Sequence, residues 1–134
     1  MNTIEMGIIG TGWCGGIRAE ACAASPLVDK LHIAEIKPER LDEVARQTRA
    51  ASATTDYREL LKIDEIEAVI ISTTPETTHF PMARESLGAG KHVFLEKPLA
   101  LTLEEADELL ALAERMSVKF TIGYSQHFHP QFPS

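Results

Sequence analysis

Cysteine is scarce in this chain of 134 residues: Cys14 and Cys22 are the only two, eight positions apart on one expected helix. They make no disulfide framework, and a reducing, cytoplasmic setting is the simplest inference. Basic side chains are also in the minority, 13 Lys and Arg against 20 Asp and Glu, for a net charge of −7. Without a basic cluster the chain has no electrostatic footprint for nucleic acid or for an anionic membrane surface. Long apolar runs are absent too. The opening MNTIEMGIIG has no basic n-region, and no stretch is long enough for a signal or transmembrane segment. There is no linker, repeat or low-complexity tract. What is present is 44% hydrophobic residues, ample for a packed core, in a length that suits one domain and is short for two.

Short β-branched runs alternate with amphipathic stretches, which predicts βαβ units around a parallel sheet. Strands are expected at Ile4–Ile9, Leu31–Ile36, Ala53–Thr55, Ala68–Ser72, His92–Leu95 and Val118–Gly123. Helices are expected at Trp13–Ala24, after Pro38 with Leu41, Val44 and Ala45 on one face, at Asp56–Lys62, and from Thr78 to the Gly88-Ala89-Gly90 stop. Thr102 and Glu105 form a capping box opening a last helix, with Leu103, Ala106, Leu109, Leu110, Ala113 and Met116 at helical spacing. The fold class is α/β: a Rossmann-type doubly wound parallel sheet in three layers, α/β/α.

The first strand runs directly into Gly10-Thr11-Gly12-Trp13-Cys14-Gly15, a Gly-x-Gly-x-x-Gly loop opening a helix. Gly10 permits the tight turn, Gly12 lets the backbone approach a pyrophosphate, and Gly15 lets the helix sit close to the sheet. The free N–H groups and dipole of that helix favour an anion. All six residues are therefore candidates for cofactor contact. Trp13 reads as a packing or loop residue, and Cys14 as a small residue under the cofactor, because no local base accompanies it. Twenty residues after Gly15, Glu35 stands at the end of the second strand, where a carboxylate accepts from both adenosine ribose hydroxyls and repels a 2′-phosphate. Lys37 could instead meet such a phosphate. NAD is the expected cofactor, with NADP possible.

Two further segments sharpen the reading: Ser72-Thr73-Thr74-Pro75-Glu76-Thr77-Thr78-His79 after the fourth strand, and GKHVFLEKPLA at residues 90–100. With the glycine loop and the final GYSQHFHP, they resemble the Gfo/Idh/MocA family, in that family's order and over the whole chain. The resemblance implies that Gly10 to Gly15 hold the pyrophosphate and Glu35 the ribose. It implies that Thr73, Thr74, Pro75 and His79 border the nicotinamide-side ribose, and that Glu96 and Lys97 stand beside the nicotinamide. Lys97 would be the catalytic residue, contacting cofactor and substrate and assisting proton movement. The implied reaction moves hydride between a nicotinamide and a sugar, polyol or related hydroxy compound.

Chemistry adds to this reading. Pro98 excludes the helical region for Lys97, Glu96 can orient its ammonium, and oxidising an alcohol needs a base that a partly desolvated lysine supplies. From chemistry alone, a surface ion pair capping a strand is an equal reading of the same residues. Two departures from the family pattern stand out: Glu76 follows the proline where Asn is common, and His127 takes the place of an arginine. His127 and His129 could share a strand face, but no Asp, Glu or Cys nearby completes a metal site, and none is expected.

The expected organisation is a dinucleotide-binding domain at residues 1–124 and, at 125–134, the start of a crossover to a substrate domain. Family members carry a further Asp and His in that domain. The chain by itself is expected to bind cofactor and to turn over slowly or not at all, and apolar surface left open is expected to drive homo-oligomers or aggregation. A stand-alone binding module and an idle truncated product are the competing readings.

Overall fold

In the computed structural model, residues 3–10, 25–73, 78–96 and 102–123 are described. Several expected features lie outside them: the helix at Trp13–Ala24, both cysteines, Thr11 to Gly15, Thr74, Pro75, Glu76, Lys97, His127 and His129. Among the described residues six strands form one sheet in the order β3-β2-β1-β4-β5-β6. They are β1 (Ile4–Ile9), β2 (Val28–Ala34), β3 (Ser52–Thr54), β4 (Ile66–Ile71), β5 (His92–Glu96) and β6 (Phe120–Gly123). Every pairing is parallel. The chain order reverses between β1 and β4, the switch point at which such sheets bind ligands.

Four described helices follow the strands: α1 (Pro38–Thr48), α2 (Tyr57–Leu61), α3 (His79–Gly88) and α4 (Leu103–Met116). Pro38 stands in the first turn of α1, where its missing N–H costs nothing. Asp56 caps α2 by accepting from the Arg58 N–H at 3.0 Å. The Thr102–Glu105 capping box opens α4 as expected, each side chain accepting from the other's backbone N–H at 3.0 Å.

Each face of the sheet has its own core. Leu41 and Val44 of α1 pack on Ile8, Leu31, Ile33 and Ile70. On the opposite face Leu60, Ala83, Leu87, Leu109 and Ala113 of the other three helices cover Ile9, Val69, Ile71, Val93 and Leu95. The three-layer, doubly wound architecture is thus present among the described residues. Gly7, which reads in sequence as a break in an apolar run, makes room for α2: a Cβ there would come within 2.7 Å of Leu60 Cδ2.

The structure moves several boundaries. β2 ends at Ala34, so Glu35 lies one residue past the strand, and Ile36 leaves the sheet altogether. β6 starts two residues later than expected, at Phe120. In α4 the expected apolar face is only partly a buried one: Leu109 and Ala113 are buried, whereas Leu103 and Leu110 are exposed. One side of a single helix meets the sheet, and a run of leucines wider than that side cannot all reach it. Among the described residues, no helix is long and apolar enough to cross a membrane.

Candidate functional site

The strand ends at the switch point build a cleft of about 400 Å³. Its described walls come from the end of β1 (Ile9, Gly10), the β2–α1 turn (Glu35 to Lys37, with Arg40), the β3–α2 turn (Thr55, Tyr57), and the β4–α3 region (Ser72, Thr73, Thr78, Met82). Backbone hydrogen bonds extend the sheet past its strands and hold these turns together. Gly10 N–H donates to the Ala34 carbonyl at 2.8 Å, Glu35 N–H to Thr54 at 3.0 Å, and Ser72 N–H to Ile9 at 2.8 Å.

Gly10 has φ +90°, a conformation that disfavours any L side chain. An added Cβ would lie 2.9 Å from the carbonyl carbon and oxygen of Ser72 and 2.7 Å from Thr73 Cγ2. The glycine therefore serves two needs at once, the turn and the close passage of two chain segments at the mouth of the cleft.

Glu35 is buried at the head of the cleft, 9% exposed. Its Oε2 accepts from the Lys37 N–H at 3.0 Å, which fixes the carboxylate at the turn. Arg40, one turn into α1, reaches the same wall and pairs with Glu43 at 3.1 Å.

Across the switch point, Thr73 Oγ1 and Thr78 Oγ1 share a hydrogen bond of 2.5 Å. Ser72 Oγ is buried on the cleft wall with no hydrogen-bond partner among the described residues. His79 is 2% exposed and is not among the described lining residues. Its Nε2 donates to the Thr73 carbonyl at 2.9 Å, so the ring stands behind Thr73. Its Nδ1 is buried without a partner among the described residues. β5 brings Glu96 to the same end of the sheet, in register with Gly123 of β6.

Of the residues expected from sequence, the structure thus gathers Gly10, Glu35 and Thr73 at one cleft, with His79 directly behind. Ser72, Arg40, Thr55, Tyr57, Thr78 and Met82 join them, and sequence reasoning passed over these as site residues. The available signal was positional: each follows the C-terminal end of a strand, the ligand edge of a parallel sheet.

The cleft lies at the switch point, where parallel sheets of this kind bind dinucleotides. At it stand a glycine pressed against a neighbouring backbone, a buried strand-end carboxylate and a Ser72 hydroxyl without a partner among the described residues. The fold and the cleft together define a dinucleotide-binding α/β domain. The chain belongs to the Gfo/Idh/MocA oxidoreductase family: residues 4–124 match that family's NAD-binding Rossmann-fold model.

Over 129 residues the chain is 33% identical to the uncharacterized oxidoreductase YrbE of Bacillus subtilis (strain 168), covering 96% of this chain and 38% of that protein. Among solved structures, GenD2 from gentamicin A biosynthesis, in complex with NAD, superposes with a TM-score of 0.85 at 31% identity, over 92% of this chain and 35% of that one. The scyllo-inositol dehydrogenase of Lactobacillus casei, with bound NAD(H) and scyllo-inositol, gives a TM-score of 0.81 at 28% identity, over 91% and 36%. The chain therefore spans well under half the length of these relatives.

Proposed function

We propose that this chain supplies the cofactor-binding half of an NAD(P)-dependent oxidoreductase that moves hydride between a nicotinamide and a sugar, polyol or related hydroxy compound. The observation that carries the reading is the cleft at the switch point, with Gly10 pressed against Ser72 at one side and Glu35 fixed at its head. The polyol class is supported by the similarity to a scyllo-inositol dehydrogenase.

In this reading the nicotinamide, when bound, supplies or accepts the hydride. The residues of the chain bind and orient. Gly10, Thr11, Gly12, Trp13, Cys14 and Gly15 form the pyrophosphate loop. Glu35, already turned inward by the Lys37 N–H, accepts from the adenosine ribose hydroxyls and disfavours a 2′-phosphate, which makes NAD the preferred cofactor. Lys37 and Arg40 keep NADP within reach. Thr73, Thr74 and Pro75 border the second ribose, and His79 holds Thr73 in place through its carbonyl. Glu96 orients Lys97, and the Lys97 amine takes the hydroxyl proton of the substrate as hydride leaves its carbon.

Titrating NADH into the 134-residue chain tests the binding. Enhanced nicotinamide fluorescence that saturates is expected, while polyol-dependent reduction of NAD by the same chain is slow or undetectable. No saturable binding of either NADH or NADPH sinks the cofactor reading, and rapid turnover by the chain alone sinks the claim that groups outside it are needed.

A further inference from the structure

On the sheet face away from α1, three polar side chains line up across the first three strands. His32 is 6% exposed. Its Nε2 lies 2.9 Å from Glu5 Oε1 on β1, and its Nδ1 lies 2.7 Å from Ser52 Oγ on β3. The strand registers bring them together. Ser52 is the direct partner of His32 between β2 and β3. On its other side His32 stands beside Gly7, which has no side chain, and the ring reaches past it to Glu5, two residues earlier on β1.

The partners fix the protons. A carboxylate only accepts, so Glu5 takes the Nε2–H of the neutral ring and Nδ1 keeps its lone pair. The Ser52 hydroxyl therefore donates to Nδ1. A serine hydroxyl donating to an imidazole whose other nitrogen is held by a carboxylate is the arrangement that makes serine a nucleophile. Exposure follows the same order. The Glu5 side chain is 17% exposed on an inner strand, and His32 is buried next to it. Ser52 is half-buried on β3, which has no neighbour on its outer side among the described residues. The helix over this corner, α2, is only five residues long. The open edge also offers a donor. The Thr54 carbonyl accepts from the Glu35 N–H, so the Thr54 backbone faces β2. Alternation along the strand turns the Ala53 N–H, next after Ser52, to the outer edge, where it is placed to donate to an oxyanion.

We infer that Ser52, His32 and Glu5 form an acyl-transfer site, separate from the dinucleotide cleft, that cleaves small esters reaching the open β3 edge. Ser52 Oγ bonds to the ester carbonyl carbon as its proton passes to His32 Nδ1. The oxyanion then collapses and the bond from that carbon to the alkoxy oxygen breaks. The proton on Nδ1 goes to the leaving oxygen, which departs as an alcohol. Water adds to the acyl-serine by the same route, releasing the carboxylic acid and restoring the hydroxyl. Nothing is oxidised or reduced. Glu5 touches neither ester nor acyl group. It is a positioning residue, which holds the tautomer and steadies the imidazolium.

Two probes on the full 134-residue chain test it. With p-nitrophenyl acetate, release of p-nitrophenolate at a saturable rate is expected. With an alkyl fluorophosphonate, which leaves a stable phosphonate on an activated serine, peptide mass analysis is expected to place the label on Ser52. Ser52→Ala and His32→Gln are each expected to lower kcat/KM for the ester at least about 100-fold, and the double variant no further. Glu5→Gln keeps an oxygen that accepts from the imidazole, so a tie between strands survives, but the charge that steadies the imidazolium is lost. It is expected to lower kcat about tenfold or more with KM little changed. If a variant does not fold, labelling of the unaltered chain decides alone. No label on Ser52, or an ester rate that Ser52→Ala leaves unchanged, overturns the inference. The cofactor reading stands or falls separately, on the NADH titration.

Discussion

At Gly10 a single residue type meets a backbone demand and a steric demand together. Its φ of +90° excludes a comfortable L side chain, and the Ser72 carbonyl lies only 2.9 Å from where a Cβ would go. Gly10→Ala is expected to destabilise the chain by roughly 2–3 kcal/mol, from the strained backbone and the displaced β4–α3 turn. Urea unfolding measures the loss, and a variant as stable as the parent would show that the turn can relax. The same variant is expected to weaken NADH binding, because the turn it displaces carries Ser72 and Thr73. The need for glycine was legible from the strand–Gly-x-Gly pattern. The neighbour it makes room for was not, because Ser72 is 62 positions away in sequence. Glu35 was legible for the same local reason, a fixed offset from the glycine loop. Tyr57 was not: nothing in its own segment shows that its hydroxyl meets Glu85 on another helix.

Helices and strands were the most readable level, since a cap or an apolar run is local chemistry. The Thr102–Glu105 box was predicted from four residues and forms as expected, with both bonds at 3.0 Å. Thr102→Ala is expected to cost about 1 kcal/mol, read as a lower denaturation midpoint with an unchanged slope. A change below about 0.3 kcal/mol would mean that packing alone holds the start of α4. The face that α4 buries was less readable. Leucines lie around much of its circumference, and only contact with α3 and the sheet selects Leu109 over Leu110, which is 53% exposed. The end of β2 was misplaced for a related reason. Ile36 has a strand former's side chain, yet the Glu35 turn and Pro38 take the backbone out of the sheet.

Across the whole molecule, buried polar groups tie distant parts of the sheet. On one face His32 joins three strands, with Nδ1 2.7 Å from Ser52 Oγ and Nε2 2.9 Å from Glu5 Oε1. At the opposite end of the strands from the cleft, Lys91 is 3% exposed and donates to the Ile63 carbonyl at 2.7 Å, while His92 Nδ1 accepts from the Lys119 N–H at 3.0 Å. These two residues of the Gly-Lys-His segment thus anchor the base of β5 on both sides. Burial lowers the Lys91 pKa below its ordinary 10.5, against the opposing pull of Asp64 and Glu65. The unfolded chain then holds the proton more tightly than the folded one. The burial penalty applies in full while both states are charged, and it is relieved as pH rises from the folded pKa towards 10.5. The stability of the parent relative to Lys91→Met is therefore expected to increase from neutral pH towards pH 10, followed by thermal unfolding of both proteins. Tyr57 acts in the opposite sense, since its raised pKa withdraws stability between 10 and about 12, but it is common to both proteins and cancels in the difference. A difference that is flat with pH would mean that the lysine is solvated in the folded state.

The sequence by itself determined the α/β class, the βαβ order, the glycine turn and the carboxylate after β2, because strand periodicity, caps and short motifs act over a few residues. Only the tertiary structure decided that Gly10 abuts Ser72, that His79 stands behind Thr73, that Tyr57 is held by Glu85 at the cleft, and that Lys91 is buried. Those are relations between segments brought together by sheet order and packing, and no local pattern encodes which side chain will meet which.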